Sequence, residues 1–129
     1  RYFFSVDQAV SLVDQALRLK DKLNGKILSV EMKSSKMIDI LKTWIKKYGG
    51  KYKIINTRKG DRLDEYLIGE DELKYTQELK IKGKKYYIID FNKLSKKPLK
   101  KVVSSANAKR LSTSEIEKII QFGINNNDL

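Results

Sequence analysis

Tyr52-Lys53-Ile54-Ile55-Asn56-Thr57-Arg58-Lys59-Gly60-Asp61-Arg62-Leu63-Asp64-Glu65 is the stretch on which the reading of this chain turns. The apolar run at 52–56 predicts a strand ending in a turn, and that strand would complete a βαβαβ order. The residues behind it crowd charges of both signs into positions where no core can be built. A guanidinium such as that of Arg58 presents a planar fork of donors that suits phosphate oxygens in pairs. Gly60 lets the backbone turn sharply and come close to a ligand. Asp61 offers an acceptor to a hydroxyl beside such a phosphate. The competing reading is a solvated turn whose charges pair weakly with one another. Residue types alone leave both open.

Toward the N-terminus, Ser5 and Gln8 have capping-box spacing, so a helix should start there. Ala9, Val10, Val13, Ala16 and Leu17 follow its period and read as a core-facing stripe, closed by Asn24-Gly25. Residues 27–32 alternate and predict a strand. Ser34 or Ser35 is expected to cap a second helix lined by Met37, Ile40, Leu41, Trp44, Ile45 and Tyr48, with Trp44 in the core. Gly49-Gly50 ends it.

Toward the C-terminus, residues 63–68 predict a short strand, and Glu70-Asp71-Glu72 a helical turn. Residues 76–91 predict a hairpin turning at Gly83. Pro98 among five lysines marks 92–101 as an exposed connection. Ser112 and Glu115 form a second capping box, opening a helix over Ile116, Ile119 and Ile120. Asn125-Asn126-Asn127 is expected to be a frayed tail. The fold class is α/β, or α+β taken as an isolated piece, ending in a short helix.

The chain has 129 residues, enough for one domain with a modest core. It contains neither cysteine nor histidine, which excludes disulfides, thiolate metal sites, cysteine nucleophiles and Ser-His triads. No metal site is expected. A net charge of +12, carried mostly by lysine, implies affinity for polyanions or a bias of composition. No apolar run reaches membrane-spanning length, so a cytoplasmic location is expected. The sequence opens at Arg1 in an aromatic run, which reads as a piece of a longer protein. No G-x-G-x-x-G, P-loop, H-E-x-x-H or EF-hand loop is present, and no tyrosine has a lysine four residues later. These residues offer no catalytic set of their own.

Three segments carry a family resemblance. Arg1-Tyr2-Phe3-Phe4-Ser5-Val6-Asp7-Gln8-Ala9-Val10 resembles the Arg-aromatic-x-x-Thr/Ser-x-x-x-Ala-Val stretch of extended short-chain dehydrogenase/reductase enzymes acting on nucleotide sugars. Arg58-Lys59-Gly60-Asp61-Arg62-Leu63-Asp64-Glu65 resembles their R-x-G-E-K-x-x-E loop. Ser104-Ser105-Ala106-Asn107-Ala108-Lys109-Arg110-Leu111 resembles the S-x-N-x-x-R-L turn before their last helix. The nearest subgroup is the capsular-polysaccharide type of UDP-N-acetylglucosamine 4,6-dehydratase and epimerase. Asp61 stands where the family has Glu and Asp64 where it has His, and residues 79–101 match poorly, as an insertion would.

The resemblance implies that residues 1–129 are the C-terminal, substrate-binding segment of a Rossmann-type enzyme of surface polysaccharide biosynthesis. Arg1 and Arg58 would clamp the diphosphate of a UDP-sugar, and Asp61 would bond the ribose. NAD or NADP and every catalyst would belong to a missing N-terminal Rossmann domain, with no cofactor on this chain and no turnover by it alone. The whole enzyme would be a homo-oligomer with neither a specific nucleic acid nor a membrane as partner. The rival reading is a basic nucleic-acid-binding module using the lysines of the hairpin and of 93–101, although no nucleic-acid-binding signature accompanies them. A protein-interaction module is the third.

Overall fold

The computed structural model of the chain describes residues 1–56 and 58–125; Thr57 and the expected tail at Asn126 and Asn127 lie outside them. The fold is built around a hairpin. Strands β5 (Thr76–Ile81) and β6 (Lys84–Ile89) pair antiparallel from Thr76↔Ile89 to Ile81↔Lys84. Lys82 (φ 47) and Gly83 (φ 79) make a two-residue turn with both φ positive, whose twist matches that of the strands. Strand β2 (Ile27–Val30) pairs with the other edge of β6, giving the antiparallel order β2-β6-β5. Lys85 ties the three together, 3.4 Å from both Glu31 and Glu78.

As the central strand, β6 is covered on both faces, and Tyr86, Tyr87, Ile88 and Ile89 are all buried. Tyr87 and Ile89 form a core with Ile68, against which Leu73, Tyr75, Leu99 and Val103 pack. Ile68 arrives on β4 (Tyr66–Ile68), which pairs antiparallel with β7 (Val103–Ser104). Leu73 and Tyr75 arrive on a 3₁₀-helix, Glu70–Tyr75, whose entry is fixed by the Gly69 N–H donating to Glu72 at 2.7 Å.

Both predicted capping boxes form. Helix α1 (Val6–Arg18) opens on the reciprocal Ser5–Gln8 bonds. A short α2 (Lys20–Leu23) follows, and Gly25 (φ 70) turns the chain into β2. Helix α3 (Met37–Tyr48) ends at Gly49 (φ 78). Helix α4 (Thr113–Asn125) opens on Ser112 and Glu115 and buries Ile116 and Ile120. Lys47 and Tyr48 at the end of α3 reach Gln121 of α4 at 3.2 and 3.3 Å. The chain is thus a mixed α/β fold with antiparallel sheets and a short C-terminal helix.

Four expectations are corrected. Residues 52–56 form no strand, and Ile54 and Ile55 are 82% and 74% exposed. An apolar run becomes a strand only where an edge is available to pair with it, and none is used here. Ser34 and Ser35 do not cap α3. Instead β3 (Lys33–Ser34) pairs with β1 (Tyr2–Phe3), both serines are buried, and Lys36 holds the N-cap position without a side-chain bond. The α1 stripe is not core: Val10, Val13 and Leu17 are each more than half exposed, and Trp44 of α3 is 40% exposed beside Tyr48.

Candidate functional site

Buried polar atoms need partners, and in this chain they find one another. Ser34 and Ser105, both fully buried, are joined by the Ser34 hydroxyl donating to the Ser105 carbonyl at 2.8 Å. Arg110 donates to the Ser34 hydroxyl at 2.9 Å, and the backbone of Ser34 bonds Lys109 and Leu111 on either side of Arg110. Asn107 shapes this turn, accepting from the Ser104 N–H at 2.9 Å and donating to the Val102 carbonyl at 2.8 Å.

Glu65 links the turn to the first strand. Its carboxylate accepts from the Tyr2 N–H at 3.0 Å and lies 3.5 Å from the Arg1 guanidinium. Its backbone N–H donates to the Ser105 hydroxyl at 3.0 Å, and its carbonyl accepts from the Ser105 N–H at 2.8 Å. The Ser105 hydroxyl in turn donates to Asp64 at 3.2 Å. The segments at 1–2, 64–65 and 104–110, distant in sequence, therefore meet in one polar node. Beside it, the Tyr2 hydroxyl is buried with no hydrogen-bond partner among the described residues. Burial first, then Tyr87 and Glu65, push it up to about 12.

The node fixes the base of the loop that carries Arg58 and Asp61. Asp61 accepts from the Arg58 N–H at 2.9 Å and returns its own N–H to the Arg58 carbonyl at 3.1 Å. Gly60 sits between them at φ 92; a Cβ there would meet nothing within 4 Å, so glycine serves the backbone angle and not a tight contact. The turn is exposed, and the Arg58 side chain makes no ion pair among the described residues. Of the three predicted site residues, Arg1 is held by Glu65, while Arg58 and Asp61 hold each other through the turn. No hydrogen bond or ion pair joins Arg1 to the other two among the described residues. Asp61 spends one carboxylate oxygen on the turn and keeps the other open.

Sequence reasoning missed the work of Glu65, Ser34, Ser105 and Arg110. A serine before an apolar run is the pattern of a cap, and that reading hid Ser34's place in a buried pair. Arg110, an arginine among small residues just before a capping box, was the available signal.

A cleft of about 1050 Å³ lies elsewhere, between α1, β2, the start of β6 and α4. Phe4, Val30, Tyr86, Leu111 and Ile119 wall it, and none of Arg1, Arg58 or Asp61 reaches it. Lys33, Lys84, Lys85, Lys109 and Lys118 also line it, so the cleft offers cations as well as apolar walls. The adjacent glycines, Gly49 and Gly50, follow α3, so they present no helix N-terminus to a pyrophosphate.

A family model described as polysaccharide biosynthesis protein matches residues 1–89. The chain belongs to this family. The match ends with β6, and 90–129 lies beyond it. An uncharacterized membrane protein of Methanocaldococcus jannaschii is 32% identical over 131 residues, covering 94% of this chain and 38% of that protein. The X-ray structure of Pen from Bacillus thuringiensis matches with a TM-score of 0.67 at 21% identity, covering 94% of this chain and 37% of Pen. That likeness shows the fold, and the chain spans under two fifths of either relative.

The expectation of a cytoplasmic location does not stand, because the Methanocaldococcus relative is named a membrane protein. The expectation rested on the lack of an apolar run. Among the described residues no helix is long and apolar enough to cross a membrane, but that fact does not place a protein.

Proposed function

We propose that this chain is the nucleotide-sugar-binding part of an NAD(P)-dependent UDP-N-acetylglucosamine 4,6-dehydratase or 4-epimerase, within the polysaccharide biosynthesis family. Arg1 and Arg58 bind the diphosphate of the UDP-sugar, and Asp61 accepts from the ribose. The observation that carries this reading is the node at Glu65 and Ser105. It joins the three segments of the resemblance, and it leaves the Arg58 guanidinium without an ion pair among the described residues. An arginine on a turn closed by its own Asp61 bonds and tied down at Glu65 has less freedom to lose when it binds an anion.

Cofactor and catalysts are assigned to a further Rossmann-type domain, since the residues here do not fit them. The apolar stripe of α1, Val6, Val10, Val13 and Leu17, supports such a domain as its covering. So does the share of the relatives that this chain spans.

UDP titration of the full-length protein tests the reading. Arg58→Ala should weaken UDP binding roughly thirty-fold, from the loss of about 2 kcal/mol in a charge-assisted contact. Arg58→Lys should recover only part, since an ammonium cannot form the fork. Asp61→Asn should be milder, because an amide oxygen still accepts. Folded Arg58→Ala binding UDP like wild type would leave the loop a solvated turn.

A further inference from the structure

Between Phe91 and Ser114 the chain carries no carboxylate, yet it places Lys93, Lys96, Lys97, Lys100 and Lys101 on one short connection. All five are exposed and none has an ion pair among the described residues. Amid this charge Phe91 and Leu94 are 52% and 62% exposed. The connection is also built, not loose. The Ser95 N–H donates to the Lys74 carbonyl at 2.9 Å and the Leu99 N–H to Thr76 at 3.3 Å, pinning the segment across the start of β5. Asp90 and Ser95 close its turns through Asn92 and Lys97. The Phe91 ring lies 5.5 Å from that of Tyr75, and the Lys74 ammonium lies over the Tyr75 ring, 5.1 Å from its centroid.

We propose that this surface docks on an anionic lipid bilayer, with Phe91 and Leu94 entering the headgroup layer and the surrounding lysines facing lipid phosphates. This departs from the expectation that no membrane is a partner. Five lysines with no ion pair among the described residues repel one another, and an anionic sheet relieves that repulsion. Exposed apolar side chains set among ammonium groups match the acyl–headgroup boundary, where apolar tips bury and long cationic stems reach outward. A duplex nucleic acid would satisfy the lysines but not Phe91 and Leu94. The connection also has no helix or ribbon to enter a groove.

Co-sedimentation of the full-length protein with phosphatidylcholine vesicles, with and without phosphatidylglycerol, tests this. Binding is expected only with phosphatidylglycerol, and it should weaken as salt rises. Lys96→Glu and Lys97→Glu should each weaken it at least about fivefold. Leu94→Ser, which changes no charge and touches an exposed side chain, should also weaken it, as should Phe91→Ser in a variant shown to fold by circular dichroism. Equal sedimentation with both vesicle types, or none with either, overturns the proposal. So does a Leu94→Ser variant that binds like wild type while duplex DNA competes the protein off the vesicles, because the patch is then a general polyanion site.

Discussion

The β5–β6 hairpin and helix α1 are both rich in apolar residues, yet they end at opposite extremes of burial. Every residue from Tyr86 to Ile89 is buried, whereas Val6, Val10, Val13 and Leu17 are each more than half exposed. The difference lies in where each element finds its partner. A hairpin brings its second strand back after two residues, and β2 closes the remaining edge of β6 from within the chain. Helix α1 has apolar residues around much of its circumference. Ala9, Leu12 and Ala16 lie on its half-covered side, while the face of Val6, Val10, Val13 and Leu17, about a quarter turn away, is mostly exposed. Regular spacing identifies a face that is apolar; it does not say which body covers it.

Substitutions on the two regions measure this contrast. Ile68→Ala, at a fully buried side chain against Tyr87 and Ile89, should cost about 2–5 kcal/mol in denaturant unfolding. Val10→Ser with Val13→Ser should stay within about 0.5 kcal/mol of wild type in this chain alone, since the two side chains bury little and serine has similar helix propensity. Equal losses at the two places would break the comparison. In a protein containing the further domain, the same pair should become strongly destabilising, which would sharpen it.

A smaller effect belongs to the contact between α4 and β3. Glu115 at the start of α4 contacts Lys33 of β3 at 2.6 Å. That contact, then bonds from the Ser112 N–H and hydroxyl, hold its carboxyl down at about 2, against an ordinary 4.5. A folded-state value below the unfolded one gives stability that is present above about pH 4.5 and lost as pH falls through about 2. Thermal melts of wild type and Glu115→Gln should therefore differ most at neutral pH and converge across that window. A gap that stays constant to pH 2 would contradict the pairing.

The legible parts of the sequence were those whose partners are close by. Both capping boxes, the Lys82-Gly83 turn and the glycine ends of α1–α2 and α3 rest on contacts within about four residues, and all were readable. The run at 52–56 looked equally plain, but a strand depends on a distant edge, and the apolar run there met none. The site shows the same division. The Arg58–Asp61 turn was legible because its residue types and glycine act locally. The node that anchors it was not: Glu65–Tyr2 and Ser34–Ser105 span more than sixty residues, and no local pattern announces a pair of buried serines.

The most direct test is to ask where a diphosphate lands. Amide resonances of the full-length protein should be followed during titration with UDP and, separately, with uridine. UDP should shift Arg58, Gly60 and Asp61 first, with smaller shifts carried to Glu65 and Ser105, and uridine should leave the turn largely unmoved. Shifts concentrated instead on Phe4, Tyr86 and Ile119, with the Arg58 turn silent, would put the ligand in the large cleft and contradict the assignment of Arg58 and Asp61.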